Sequence, residues 1–131
     1  MAVLIGNSGR TYASLPIDAR AGFPQSFPFQ MDDGSSYQFT LYVDVDAAVL
    51  DAAAAPLTLP TTSAFLVVRV ERLSADGTSQ IVFLRKVVPE QEYLAENVAL
   101  MFPTQVVARE NINGQGDFGS QVVGGIAPRW A

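Results

Sequence analysis

The stretch YQFTLYVDV sets apolar and polar residues in alternation. Tyr37, Phe39, Leu41, Val43 and Val45 fall on one side; Gln38, Thr40, Tyr42 and Asp44 fall on the other. A period of two marks a strand with one face in a core and one toward water. The preceding SFPFQM runs into Asp32-Asp33-Gly34, which predicts a three-residue hairpin loop closed by a glycine in the left-handed region. That register sets Phe29 opposite Tyr37 and Phe27 opposite Phe39, ring against ring on one face.

A second hairpin follows the same pattern. AFLVVRVERL leads through Ala75-Asp76-Gly77 into QIVFLRKVV. The same loop geometry pairs Val70 with Val82 and Val68 with Leu84 on a core face. It pairs Arg69 with Phe83 and Glu71 with Ile81 on a mixed, half-exposed face.

Other segments are less regular. DAAVLDAAAAP favours a turn or two of helix, because alanine is the best helix former and Pro56 stops it. PLTLP reads as a short edge strand or an extended link, since proline cannot sit in a central ladder. PEQEYLAENVALMF reads as opening with a helical turn, with Glu90, Glu92 and Glu96 polar and Tyr93, Leu94 and Val98 apolar. TQVVARENI is a further strand. The last 18 residues hold five glycines and end in Pro128, Arg129, Trp130 and Ala131.

Strands joined by tight turns with little helix predict an all-β chain of about six to eight strands. The architecture is an antiparallel β-sandwich or small β-barrel with one short helix and extended terminal arms. The domain spans residues 1–110, with 1–9 as an N-terminal arm, and 111–131 form a glycine-rich C-terminal arm.

Composition narrows the chemistry. With 131 residues the chain is one domain by size. It has neither cysteine nor histidine. Disulfides, thiolate metal sites, cysteine nucleophiles and Ser-His-Asp arrangements are therefore excluded. The net charge of −5 argues against a nucleic-acid partner, whose phosphates call for a basic face. Basic residues cluster only at Arg69, Arg72, Arg85 and Lys86, within one hairpin. Hydrophobic residues make up 49% and charged residues 16%, a low charge for a monomer surface and a sign of buried subunit contacts. MAVLIGNSGR lacks the basic start and apolar run of a signal peptide. The longest apolar stretch, AAVLDAAAAPLTLP, is broken by Asp51 and two prolines, so no membrane span is expected.

Near the C-terminus, Gly114, Gly116 and Gly119 have the G-x-G-x-x-G spacing of a dinucleotide loop. Such a loop must open a helix whose N-terminus receives the pyrophosphate. SQVVGGIAP, with its glycines and proline, cannot be that helix, so the segment reads as a loop. Asp44 and Asp46 share a face at i and i+2 and are the candidates for holding a hard cation. The plainer reading has Asp46 capping the helix that follows, and no cofactor is expected. Ser8, Ser14, Ser26 and Ser120 sit in no nucleophile motif, and Lys86 reads as a solvated side chain. No enzymatic activity is expected.

Both ends look adhesive. AVLIG, with Val3, Leu4 and Ile5, could add as an edge strand. Phe118, Val122, Val123, Ile126, Arg129 and Trp130 could anchor a C-terminal arm in a pocket of its own domain or of a neighbour. The segments AVLIGNSGRTY, YQFTLYVDV, AFLVVRVERL and GQGDFGSQVVGGIAPRWA together resemble the small structural proteins of tailed bacteriophage particles. These are capsid decoration or cement proteins and small tail or baseplate components. The resemblance implies a virion protein, assembled in the host cytoplasm, that self-associates as a trimer or ring. It also implies docking onto other virion structural proteins, such as a major capsid or tail protein, through strand edges and terminal arms. The alternative is a ligand-binding β-sandwich such as a carbohydrate-binding module, with Tyr12, Tyr37, Tyr42, Tyr93 and Trp130 as candidate sugar platforms.

Overall fold

The computed structural model describes residues 3–48 and 55–130. Among them run ten strands: β1 (Val3–Ile5), β2 (Thr11–Ser14), β3 (Gln25–Gln30), β4 (Ser36–Val45), β5 (Leu57–Thr58), β6 (Ala64–Leu73), β7 (Ser79–Val87), β8 (Glu92–Ala95), β9 (Val98–Val107) and β10 (Gln121–Pro128). They form two antiparallel sheets. The first runs β1-β2-β10-β9, and the far side of β9 is shared by β8 and β5. The second runs β3-β4-β6-β7. Neither sheet closes on itself, so the architecture is a sandwich and not a barrel. Among the described residues no helix is long and apolar enough to cross a membrane.

The alternating pattern of β4 is what builds the core. Tyr37, Phe39 and Leu41 are buried, and Leu66, Val68 and Val70 of β6 lie beside them. The first sheet answers with Leu100, Phe102, Val122 and Ile126. Each such side chain contributes about 1.5–3 kcal/mol on leaving water. Phe29 opposes Tyr37 and Phe27 opposes Phe39, as the turn chemistry predicts. The Phe27 and Phe39 rings stack with centroids 5.4 Å apart.

The two hairpin loops are built alike. Gly34 and Gly77 sit at φ 91° and 88°, which L side chains rarely adopt. Asp33 accepts from the Ser35 N–H at 2.8 Å, and Asp76 accepts from the Thr78 N–H at 3.0 Å.

The β6–β7 register differs from expectation beyond its turn. Glu71 does oppose Ile81, but Val70 opposes Phe83, Arg69 opposes Leu84 and Val68 opposes Arg85. Val82 is an extra residue in a bulge between them. The bulge brings the bulky Phe83 onto the core face, where it meets Tyr93 edge-on at 5.6 Å.

Three further expectations change. The segment after Pro89 opens no helix; β8 and β9 form a hairpin instead, with Glu96 at φ 57° in its turn. Tyr93 and Ala95 of β8 are buried, and Leu94 is exposed, so the period is two. Among the described residues of the N-terminal segment, 3–5 are not a free arm: β1 pairs with β2 of its own sheet. The glycine-rich end is not an arm over its described residues, 111–130, either. Residues 121–128 form β10, flanked by β2 and β9 in the first sheet. A strand with two partners satisfies its backbone groups, which a free arm would leave to water. The helical turns expected over residues 46–56 fall largely on residues 49–54, outside the described residues.

Candidate functional site

One side of the sandwich is open. There the β1 edge of the first sheet overhangs the β3–β4 hairpin of the second. A cleft of about 480 Å³ lies between them. Its walls include Val3, Ala13, Phe29, Tyr37, Ile126 and Pro128, and its rim includes Asp32, Asp33 and Asn97. The volume and the apolar lining are those of a site that takes an organic group.

Each wall has a sequence origin. Val3 and Ala13 are register partners, so both face inward from β1 and β2. Phe29 and Tyr37 are the cross-strand pair nearest the β3–β4 turn. The same turn carries Asp32 and Asp33 to the mouth. Asp33 is held below the usual carboxylate range by the Ser35 backbone N–H and then its side chain. The mouth is therefore anionic at neutral pH. Burial, then the Asp33 charge, pushes the Tyr37 hydroxyl above its ordinary value.

Beside the cleft a polar network pins the β1–β2 hairpin onto β8. Glu92 Oε1 accepts from Tyr12 Oη at 2.6 Å and from Ser8 Oγ at 2.7 Å. Its Oε2 accepts from the Ser8 N–H at 2.9 Å. The Tyr12 hydrogen bond is the largest cause holding Glu92 below its usual value. Burial first, then that same bond, raises Tyr12. Tyr12 lies on the outer face of the first sheet with Ala99, Met101 and Ala127, and Leu4 packs against this group.

The residues after β10 are also held. The Arg129 N–H donates to Asn97 O at 2.9 Å, and its guanidinium donates to Glu96 O at 3.1 Å. Arg10 donates to Arg129 O at 3.1 Å. The Glu96 carboxylate pairs with Arg72. The Arg129 guanidinium lies 4.8 Å from the centre of the Trp130 ring, a cation–π contact. Trp130 itself is 77% exposed.

The residues expected to make contacts separate into three groups by burial. Val3, Ile5, Phe118 and Trp130 are exposed. Leu4 and Arg129 are half-buried, and so is Val123. Val122 and Ile126 face the protein's own core, so they fill the sandwich and are not available to a partner. Of the sugar platforms, Tyr12, Tyr37 and Tyr93 are buried, whereas Tyr42 and Trp130 are exposed. The cleft itself was not legible: nothing in the sequence says that the two sheets part at β1.

Asp44 and Asp46 are both exposed at the end of β4. Among the described residues no group of three or more acidic, histidine or cysteine side chains could hold a metal. Gly114, Gly116 and Gly119 lie in a loop that leads into a strand, with no helix behind it. Asn111, fully buried, organises that loop. Its Nδ2 donates to the carbonyls of Gly114 and Gly116, and its Oδ1 accepts from Ser120 at 2.6 Å. The Gly116 N–H, which a nucleotide loop would present to phosphate, donates instead to Arg20 O at 2.9 Å. Lys86 lies on the outer face of the second sheet, 5.0 Å from the Phe65 ring centre. No protein-family model matches this chain, and no curated protein or solved structure matches it.

Proposed function

We propose that this chain is a non-enzymatic structural protein of a phage-like particle, which assembles or stabilises a larger lattice. Within that class it is a capsid decoration or cement protein, or a small tail or baseplate component. The observation that carries the reading is the apolar surface left exposed at the β1 edge. Val3 and Ile5 of the edge strand β1 are 60% and 70% exposed, and the apolar cleft opens beside them.

Both edges of the second sheet carry devices that discourage pairing. β3 contains Pro28, while β7 contains Lys86 and the Val82 bulge. Proline, lysine and bulges are the usual means of blunting an edge. β1, with the sequence VLI, has none of these three and is guarded only by its shortness. The absence of histidine and cysteine from the chain fits a protein whose work is adhesion. Assembly then depends on strand-edge pairing and apolar burial at the β1 side, not on the C-terminal strand, which is committed to the sandwich.

The test is mass spectrometry of phage-like particles purified from cells that carry the gene. The chain is expected at a copy number comparable to that of a lattice component. Particles that lack it, produced while the chain is expressed, overturn the reading.

A further inference from the structure

We infer that two copies of this chain dock reciprocally, each placing Trp130 in the cleft between β1 and the β3–β4 hairpin of the other. The inference rests on the assembly reading and names the partner of that surface: a second copy.

Trp130 is the knob. It is the sole tryptophan of the chain, and at 77% it is the most exposed of the large apolar side chains described. Leaving an indole in water forgoes one of the largest apolar burials a side chain can make. Yet its surroundings are ordered. The Arg129 backbone is tied to Asn97, its guanidinium to Glu96 and its carbonyl to Arg10, and the guanidinium lies against the indole ring. A side chain already held in place loses little freedom on docking, so more of the contact energy is left for affinity. Tryptophan and arginine are also the residues that most often dominate interfaces.

The cleft is the hole. Its volume of about 480 Å³ accommodates an indole, and the half-buried Phe29 lines it together with Val3 and Pro128. The charges match. Arg10 and Arg129 flank the knob, whereas Asp32 and Asp33 stand at the mouth. The indole N–H is a donor with no acceptor role, and a carboxylate rim suits it.

Placement decides the symmetry. Pro128 forms part of the cleft wall, and Trp130 follows two residues later. Knob and hole are therefore neighbours on one surface. A twofold axis passing between them brings each knob to the other copy's hole, and the contact closes at two copies. A knob and hole on opposite sides would instead give open chains or rings.

The sole tryptophan supplies the readout. Full-length protein is followed over a dilution series by sedimentation and by intrinsic fluorescence. Dimer is expected at the concentrated end, with blue-shifted emission. Emission should move to that of a water-exposed indole in step with dissociation. Trp130→Ala should raise the dimer dissociation constant by about 30-fold or more. Asp32→Lys, at an exposed rim position, should weaken the dimer without altering the monomer's circular dichroism. A dimer in which Trp130 still emits as an exposed indole overturns the inference and leaves the assembly reading standing. So does a dimer unaffected by Trp130→Ala. A monomer at every concentration also overturns it, while particle association is read separately.

Discussion

The Tyr12 hydroxyl donates a 2.6 Å hydrogen bond to Glu92, joining strand β2 to strand β8 across the outer face of the first sheet. Tyr12 is fully buried, and the same carboxylate receives both the backbone and the side chain of Ser8. One acid thus fixes the β1–β2 hairpin and with it one wall of the cleft. Tyr12→Phe should cost about 1.5–3 kcal/mol, the usual worth of a hydrogen bond to a charged group. Urea unfolding of the two proteins measures this directly.

The same pair sets a pH window. The folded-state value of Glu92 lies below its ordinary 4.5, so its contribution is present above pH 4.5. That contribution is lost as pH falls through the lower folded value. Tyr12 is raised above 10.0, so its contribution is present below pH 10.0 and is lost as pH rises through the folded value. Glu92→Gln should flatten the acid limb of a stability–pH curve; Tyr12→Phe should flatten the alkaline limb and, by removing the bond that holds Glu92 down, part of the acid limb as well. Asp33 and Asp76, both lowered by their turn hydrogen bonds, keep part of the acid limb in either variant. Unchanged limbs in both variants would show that the pair does not couple to folding.

Asn111→Ala should be among the more damaging polar substitutions. It strands the Ser120 hydroxyl and two glycine carbonyls that Asn111 now serves. A loss of about 2–4 kcal/mol is expected, since each buried group left unpaired costs about 1–3 kcal/mol and water reaches part of this loop. Calorimetry at neutral pH checks the size of the loss.

Gly125→Ala tests how tightly Tyr12 lies over β10. A Cβ there would come within 2.8 Å of the Tyr12 Cβ and 3.1 Å of Leu4. The Leu4 contact is a terminal methyl that can turn aside, but the Tyr12 Cβ is fixed to its backbone, so the expected loss is about 1–3 kcal/mol, the range of overpacking. A neutral result in thermal unfolding would mean that β2 moves more easily than its hydrogen bonds suggest.

Nucleotides should leave the protein unaffected. Ligand binding to the native state raises stability in proportion to the logarithm of ligand excess over its dissociation constant. Thermal shift with excess NAD or ATP should show no increase. A clear increase would restore the glycine-loop reading that the strand after Gly119 removes.

Ile5→Lys probes the assembly side without touching the core. Ile5 is 70% exposed, so stability should change by no more than about 0.5 kcal/mol. Association in sedimentation should weaken, because a lysine on an edge opposes pairing. Leu84→Lys on the mixed face of β7 is the matched control and should leave association intact.

The sequence by itself determined the two long hairpins. Alternation placed Tyr37, Phe39 and Leu41 inward, and Asp-Gly turns set the Phe29–Tyr37 register, because both signals act within a few residues of one another. The same local reasoning missed the Val82 bulge, since the advantage of burying Phe83 comes from Tyr93 on the other sheet. It missed β10 for a similar reason. Glycine and proline weaken a strand taken alone, so Gly124, Gly125 and Pro128 read as a flexible end. In the sandwich those small residues are what fits: a Cβ on Gly124 would meet Phe102 and Ile17, and one on Gly125 would meet Tyr12. Opposite Gly124, Phe102 and Pro103 bulge out of register, which lets β9 carry a proline inside a sheet. Local propensity therefore decided which segments extend and where they turn. Only the packing of distant side chains decided that the C-terminal segment becomes an interior strand of the first sheet, leaving the cleft at β1 and Trp130 beside it as open surface.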